Sequence, residues 1–202
     1  MPGVILVVTA PSGTGKTTLL KELLAADPRL KFSVSYTTRQ PRPGETPGRD
    51  YFFVSPAEFH RLNDRGGLVE WVEQFGYWYG TSREWVEQTL AQDLDLVFDI
   101  ETRGARSLKA AFPEAVLIFI LPPSLSALES RLRGRGDLEP AELARRLAEG
   151  REELKEVSRY DYLVVNDQLE LALSQLRAIV TAARCRTSYL WPQLATGFAQ
   201  EI

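Results

Sequence analysis

The stretch that most constrains the fold of this chain is APSGTGKTT, at positions 10–18. A run of apolar residues precedes it, and the helical pattern KTTLLKELL begins inside it. A strand, a tight turn of backbone amides and a helix N-terminus are the three parts that a phosphate-binding loop requires. Gly13 and Gly15 let the backbone approach oxygen atoms closely. Lys16 is placed to reach the outer phosphates, and the Thr17 hydroxyl suits Mg²⁺.

One position departs from the pattern G-x-x-x-x-G-K-[ST], because Ala10 stands where the first glycine is expected. That glycine serves the turn that leaves the strand, and alanine fits there if its φ is negative. A plain Gly/Ser turn before a helix is the alternative, but the spacing and the Gly-Lys-Thr-Thr ending disfavour it. We interpret the segment as a working phosphate loop, which consists of Ala10, Pro11, Ser12, Gly13, Thr14, Gly15, Lys16, Thr17 and Thr18.

Short apolar runs alternate with amphipathic segments through most of the chain. After the first run, four more follow, at 32–35, 94–100, 116–121 and 162–165. Most are rich in Val, Ile and Leu without alternation, as in strands that are buried on both faces of a parallel sheet. The segments between them, such as SLSALESRLRG with Ser124 or Ser126 as its cap, have helical patterns. The alternation predicts an α/β fold with a doubly wound parallel sheet flanked by helices.

The region from 38 to 81 breaks this alternation. Its segment LVEWVEQF alternates like a half-exposed strand, with Glu70 on the polar face and Trp71 opposite. SPAE and TSRE are capping boxes, which predict that helices begin after Ser55 and Thr81. We therefore expect a small, mostly antiparallel subdomain inserted into the main sheet.

This insert carries two arginines, Arg39 and Arg42, in a stiff proline-containing loop that Tyr51 follows. Planar guanidinium groups and a phenol hydroxyl suit a phosphate monoester. Solvated loop arginines are the alternative for an isolated pair. Beside a phosphate loop, a second anion site is the sharper hypothesis.

Composition narrows the class of protein. The chain has 202 residues and a net charge of −3, which gives no reason to expect a nucleic-acid partner. Its single cysteine, Cys185, excludes an internal disulfide and fits a reducing compartment. No apolar stretch is long enough to span a bilayer, so we expect no membrane association and a cytoplasmic location.

Eight stretches together resemble the guanylate kinases, which are P-loop nucleoside monophosphate kinases that phosphorylate GMP with ATP. They occur in the family's order from position 4 to about 186, and TTRQPRPGE and YGTS are far more specific than the phosphate loop. The stretches are APSGTGKTT, SVSYTTRQPRPGE, DYFFVS, FGYWYGTS, FDIETRGARSLK, FILPPS, RLRGRG and YDYLVVND.

The resemblance implies a GMP site in the insert. In the family, the phosphate of GMP is held by residues that match Arg39, Arg42, Tyr51 and Tyr79. The guanine is held by residues that match Ser35, Glu70 and Thr81, together with Glu101, which replaces a family aspartate. Guanine presents N1–H and N2–H₂ side by side, so one carboxylate accepts both, whereas adenine would leave Glu70 unpaired.

The segment DIETRG, at 99–104, contains a residue that is expected near Mg²⁺ and two residues that depart from the family pattern. Asp99 ends a buried run, where open α/β sheets place their ligands, and is expected to orient Mg²⁺-bound water. The family usually has DIDxQG here, so Glu101 is one methylene longer than usual and Arg103 adds a charge. The metal ligand itself is expected to be Thr17, with Mg²⁺ bound together with ATP.

The arginine-rich segment at 131–156 resembles the family's closing lid. Arg131, Arg135 and Arg146 match arginines that meet the phosphates, and with Lys16 they are the expected catalytic residues. Asn166 matches a position near the adenine of ATP.

These expectations define one domain, 1–202, with a small-molecule kinase activity. The core comprises 1–36, 82–130 and 157–186, with the GMP-binding insert at 37–81, the lid at 131–156 and a C-terminal extension at 187–202. The expected reaction is phosphorylation of GMP, and also dGMP, by ATP. A non-catalytic guanylate-kinase-like binding module and a kinase for another nucleoside monophosphate are the alternatives.

Overall fold

A computed structural model describes residues 3–74, 76–134 and 139–198 of the chain, which form two β-sheets and the helices around them. The strands, in chain order, are β1 (Ile5–Thr9), β2 (Leu30–Phe32), β3 (Ser35–Thr37), β4 (Tyr51–Phe53), β5 (Leu68–Gln74), β6 (Tyr77–Ser82), β7 (Asp95–Asp99), β8 (Val116–Leu121) and β9 (Tyr162–Val165). The α-helices are α1 (Lys16–Ala26), α2 (Pro56–Asp64), α3 (Arg83–Ala91), α4 (Thr102–Ala111), α5 (Leu125–Arg133), α6 (Pro140–Leu154), α7 (Leu169–Arg184) and α8 (Thr187–Phe198).

The larger sheet has five parallel strands in the order β2-β7-β1-β8-β9. Alternate residues of β1 pack into different cores: Leu6 joins α1 and α7 on one face, and Val7 joins α3 and α4 on the other. Burial on both faces explains the unbroken apolar run that precedes the phosphate loop. The predicted α/β fold with helices on both faces of a parallel sheet is confirmed.

The smaller sheet has the order β4-β3-β6-β5 and holds the insert together. The β3–β6 and β5–β6 pairs are antiparallel and the β3–β4 pair is parallel, so the sheet is mostly antiparallel, as expected. The prediction of one strand at 32–35 is wrong. The Ser33 amide makes the last hydrogen bond to the core sheet, at Val97, and the chain then crosses into the second sheet at Ser35. Phe32 and Val34 alternate with Ser33 and Ser35 through the crossing, so the sequence pattern alone does not show where one strand ends and the next begins.

Side-chain caps set the starts of three helices. Ser55 accepts a hydrogen bond from the Glu58 amide at the start of α2, as the capping box predicts. Helix α3 begins one residue later than TSRE suggests, because its cap is Ser82, which accepts from the Trp85 amide. Ser124, the first of two candidates, caps α5.

Two peripheral parts complete the described chain. Leu128 and Leu132 of α5 and Leu143 of α6 form a small core of their own, separate from both faces of the larger sheet. Helix α8 packs back through Tyr189, which lies against the α7 side of the main core. Within the described ranges, no helix has the length and apolarity needed to cross a membrane.

Candidate active site

The phosphate loop joins the end of β1 to the start of α1, and its two glycines are required by geometry. Gly13 and Gly15 have φ values of 92° and 95°, in the left-handed region that favours glycine. A Cβ on Gly15 would also lie 2.5 Å from Nδ2 of Asn166. Asp93 is the only non-glycine residue with positive φ in the described parts of the chain, so Ala10 meets the condition that the sequence set for it.

Arg131 and Asn166 hold this loop from the side. Asn166 Nδ2 donates to the Thr14 carbonyl at 2.7 Å, and the Asn166 side chain is buried. Arg131 Nη1 donates to the same carbonyl at 3.2 Å, and its Nη2 donates to the Asn166 carbonyl at 2.9 Å. Both side chains are therefore tied to the loop backbone. The open pocket that they line, with Gly15, Thr18 and Leu169, is where the sequence predicts adenine.

Lys16 and Asp99 meet at the carboxyl edge of the larger sheet. Val8 of β1 is in register with Asp99 of β7, which brings the loop's lysine to the end of the neighbouring strand. There Lys16 Nζ forms an ion pair with Asp99 Oδ1. Thr17 is exposed on the first turn of α1. A hydroxyl and one carboxylate fit a magnesium ion, which usually takes one or two protein oxygens and completes its shell with water and substrate phosphates.

Between the two sheets lies a cavity of about 390 Å³ that gathers most residues of the expected GMP site. Its walls come from the end of the phosphate loop, from the strands β3, β4, β5 and β6 with the loop between β3 and β4, and from the connection between β7 and α4. The lining residues are Lys16, Ser35, Arg39, Arg42, Tyr51, Glu70, Val72, Tyr79, Asp99, Ile100, Glu101, Arg103 and Gly104.

One end of this cavity is basic and aromatic. The Arg39 side chain is almost buried, and its guanidinium carbon lies 5.3 Å from the ring centroid of Tyr51. Tyr51 and Tyr79 pack edge to face with their centroids 6.0 Å apart. Burial raises the pKa of the Tyr51 hydroxyl, which therefore stays a proton donor at neutral pH. Arg42 is exposed at the rim, so this end offers cationic and hydroxyl donors to an anion.

The other end is built around Glu70, which is only 7% exposed. It lies opposite exposed Trp71, so the predicted half-exposed strand is confirmed, but Glu70 lies on the buried face of β5 and not on an exposed polar face. Thr81 Oγ1 donates to Glu70 Oε1 at 2.6 Å, across the β5–β6 pair. Burial raises the pKa of Glu70, and the Thr81 hydrogen bond opposes this rise. A Cβ on Gly104 would lie 3.3 Å from Glu70 Oε2, so glycine keeps the carboxylate accessible.

The positions that depart from the family pattern follow β7. Glu101 is the N-cap residue of α4, and Arg103 lies in the first turn of that helix. Both side chains are exposed and line the cavity. The extra methylene and the extra positive charge therefore face the space that the sequence assigns to GMP.

The expected lid arginines are distributed differently. Arg131 lies against the phosphate loop, whereas Arg146 Nε donates to Glu142 Oε1 at 2.7 Å within α6. Hydrogen bonds from Arg145 and Arg146 lower the pKa of Glu142 to about 2. Arg146 lines neither pocket described above. The expectation for Arg135 lies outside the described residues.

Two acidic residues near the site were not singled out by the sequence analysis. Glu45 pairs with Arg39 through both carboxylate oxygens; its signal was present in the motif RPGE, a turn that returns the chain toward the arginines. Burial raises the pKa of Glu153 to about 7, although the nearby charge of Lys16 lowers it. No sequence pattern marks Glu153, because its burial depends on how α6 packs.

The chain is similar to known proteins in sequence and in structure. The guanylate kinase family model matches residues 3–183. The guanylate kinase of Aromatoleum aromaticum is 49% identical over 186 residues, which cover 92% of this chain and 91% of the relative. That of Geobacter sulfurreducens is 44% identical over 199 residues, 98% of each chain. The crystal structure of guanylate kinase from Anaplasma phagocytophilum superposes with a TM-score of 0.75 at 33% identity, and covers 98% of this chain and 96% of that one. Together with the phosphate loop and the cavity between the sheets, these matches show that the chain belongs to the guanylate kinase family.

Proposed function

We propose that this protein transfers the γ-phosphoryl group of ATP to GMP, and also to dGMP, giving ADP and the corresponding diphosphate. One observation carries the proposal: a single cavity has arginines and tyrosines at one end, a buried glutamate at the other and the lysine of a phosphate loop at its edge. The three groups correspond to the phosphate, the base and the phosphoryl donor. The relatives from Aromatoleum aromaticum and Geobacter sulfurreducens are named guanylate kinase, which agrees with this activity.

Guanine selection rests on Glu70 in this proposal. Its carboxylate accepts N1–H and N2–H₂ of guanine, while Thr81 holds one of its oxygens in place. Ser35 and Glu101 complete the base site from β3 and from the start of α4. Adenine offers an acceptor at N1 and no amine at C2, so the buried carboxylate would lose its partners at a large cost.

The phosphate loop binds the donor. Its amides and Lys16 hold the β- and γ-phosphates, and Asn166 fixes the loop through Thr14 while its own position borders the adenine pocket. Thr17 and Asp99 would hold Mg²⁺ brought by ATP, with Asp99 acting through water. The ion, when bound, neutralises charge on the phosphate oxygens.

The chain's own residues supply alignment and positive charge. The acceptor is a phosphate oxygen that is already ionised at neutral pH, so no strong general base is needed, and His60 lies away from the cavity on α2. Arg131, Arg135 and Arg146 stabilise the charge on the transferring group when the lid, 131–156, closes. Closure also excludes water, which would otherwise compete as an acceptor. We assign the activity to the cytoplasm, with no nucleic-acid or membrane partner.

The test is ADP formation from ATP and Mg²⁺ with GMP, dGMP, AMP, CMP or UMP, one at a time. We expect turnover with the two guanine nucleotides only. Lys16→Ala should lower kcat by at least about 100-fold, because it removes charge from the transferring phosphates. Glu70→Ala should lower kcat/KM for GMP by a similar factor and leave the KM for ATP unchanged. Binding of GMP without turnover in the wild-type protein would contradict the proposal.

A further inference from the structure

The loop between β3 and β4 is organised around the carboxylate of Glu45. Arg39 Nη1 donates to Glu45 Oε2 at 2.9 Å, and Arg39 Nη2 donates to Oε1 at 2.8 Å. The same carboxylate accepts from the backbone amide of Arg42 at 2.7 Å. One side chain thus contacts both arginines that the proposed function assigns to the GMP phosphate.

The local sequence places this carboxylate with little freedom. Arg42-Pro43-Gly44-Glu45 is a β-turn closed by a hydrogen bond from the Glu45 amide to the Arg42 carbonyl, at 3.0 Å. Pro43 fits its second position, and Gly44, with a φ of 90°, fits the third position of a type II turn. The turn returns Glu45 to the arginine side, and hydrogen bonds from Arg39 and Arg42 lower the pKa of its carboxyl to about 2. Glu45 is therefore ionised across the physiological range.

The pairing leaves one edge of the Arg39 guanidinium for a ligand. Both Nη1 protons and one Nη2 proton are used by Glu45 and by the Gln40 carbonyl, which accepts from Nη1 at 2.8 Å. The Nε proton and the second Nη2 proton form the other fork, which Glu45 and Gln40 do not contact. Tyr79, which also hydrogen-bonds to Arg39, is itself one of the residues expected to bind the GMP phosphate. A guanidinium fork of this kind matches two oxygens of a phosphate. Glu45 thereby fixes which edge of Arg39 meets the cavity.

We propose that Glu45 is a positioning residue for the acceptor nucleotide: it holds Arg39 end-on so that the Nε–Nη2 edge of Arg39 receives the nucleotide phosphate. The proposal rests on the proposed function, because it takes GMP as the ligand. Glu45 itself does not touch the phosphate. Because Glu45 restricts the conformations of the Arg39 side chain before GMP binds, less conformational entropy is lost during binding.

Charge and position predict opposite effects when Glu45 is neutralised. By Coulomb attraction alone, removing a negative charge near an anion site should tighten GMP binding. If Glu45 acts by positioning, Glu45→Gln should weaken GMP binding although the site becomes more positive. Glu58, on α2 of the same insert, is exposed and provides a matched control, Glu58→Gln, with the same change of charge.

The experiment measures calorimetric Kd values for GMP and for guanosine, and KM and kcat for GMP and ATP, with the full chain. For Glu45→Gln we expect a roughly 10-fold rise in Kd and KM for GMP, typical of lost hydrogen bonds to a charged group. The guanosine Kd, the ATP KM and all values of Glu58→Gln should stay within about twofold of wild type. Unchanged guanosine binding also shows that the variant is folded. Unchanged or tighter GMP binding, or equal losses for GMP and guanosine, would overturn the proposal.

A double-mutant cycle tests whether Glu45 acts through Arg39. Arg39→Met should raise the GMP Kd by itself, and Glu45→Gln added to Arg39→Met should raise it no further, because only the Coulombic effect of Glu45, which would tighten binding, remains. Additive effects would mean that Glu45 acts independently of Arg39 and would overturn the proposal. Wild-type protein that binds GMP without turnover would contradict the proposed kinase function only, since the binding comparison still decides the role of Glu45.

Discussion

At the scale of single residues, the proposed guanine selection depends on the hydrogen-bonded pair of Glu70 and Thr81. Burial alone would favour the protonated form of Glu70, which could accept fewer hydrogen bonds from guanine. The hydroxyl of fully buried Thr81 donates to the carboxylate and so favours its ionised form. The hydrogen bond therefore favours the charge state that the proposed guanine recognition requires.

Replacing Thr81 with valine keeps the shape and removes the donor. Because the pKa of Glu70 is already raised, GMP recognition in the wild type should fail as pH falls through that raised value. Thr81→Val should raise the pKa further, so the acid limb of kcat/KM for GMP moves to higher pH. At neutral pH kcat/KM should fall about 10-fold. A pH profile between about 5 and 8 checks this, and comparison with wild type removes the titration of GMP itself.

Thr81→Ser is the control, since it retains the hydroxyl and should retain the wild-type acid limb. An unchanged acid limb in Thr81→Val would mean that the hydroxyl does not control the ionisation of Glu70.

At the scale of secondary-structure elements, Thr81 and its neighbour Ser82 have two different roles, although the sequence pattern assigns both residues to one capping box. TSRE fits one capping box, yet Thr81 donates from β6 to the carboxylate of Glu70 and Ser82 caps α3. In an extended strand, successive side chains point to opposite sides, so adjacent hydroxyls serve different partners. One residue stabilises the site and the next stabilises a helix.

Ser82→Ala should therefore affect stability and not recognition. Loss of the cap should lower the free energy of unfolding by about 1 kcal/mol, while the GMP KM stays unchanged. Urea denaturation and steady-state kinetics on the same preparations measure both quantities. If Ser82→Ala changed the GMP KM more than Thr81→Val does, Ser82 and not Thr81 would be the residue that acts in GMP recognition.

At the scale of the whole molecule, a buried ionic cluster ties the chain's two halves together at the edge of the larger sheet opposite the phosphate loop. Asp95, at the start of β7, is fully buried and accepts from the Val4 amide at 2.8 Å. Arg184, at the end of α7, donates to it through Nε at 2.8 Å and pairs with Asp27 at 2.7 Å. Three distant segments therefore meet at one carboxylate.

Arg184→Met should be strongly destabilising, because it leaves the buried Asp95 carboxylate without its main cationic partner. We expect the free energy of unfolding to fall by about 3 kcal/mol, measured by urea denaturation. Arg177→Met is the control, as Arg177 is exposed on the same helix and should change stability by less than about 0.5 kcal/mol. Equal losses of unfolding free energy for the two variants would show that the pairing of Arg184 with Asp95 adds little to stability.

Much of the fold follows from local patterns. Strands β8 and β9 have the predicted bounds, and the sequence also locates the phosphate loop and the Ser55 cap correctly. These features depend on residues within about one turn or one strand of each other, where apolar periodicity and backbone preference act directly. The family motifs add the identity of the cavity residues, whose roles stay predictions until variants are assayed.

What the sequence by itself determined is therefore the alternation of strands and helices, the phosphate loop and the family. The tertiary structure decided which sheet Ser35 joins, that Glu70 is buried, and that Glu45 holds Arg39. Each of these depends on what lies across from a residue in space, since burial and charge pairing are set by groups that are distant in the chain or brought back by a turn. A single sequence records which side chains are available, and only the packed fold determines their partners.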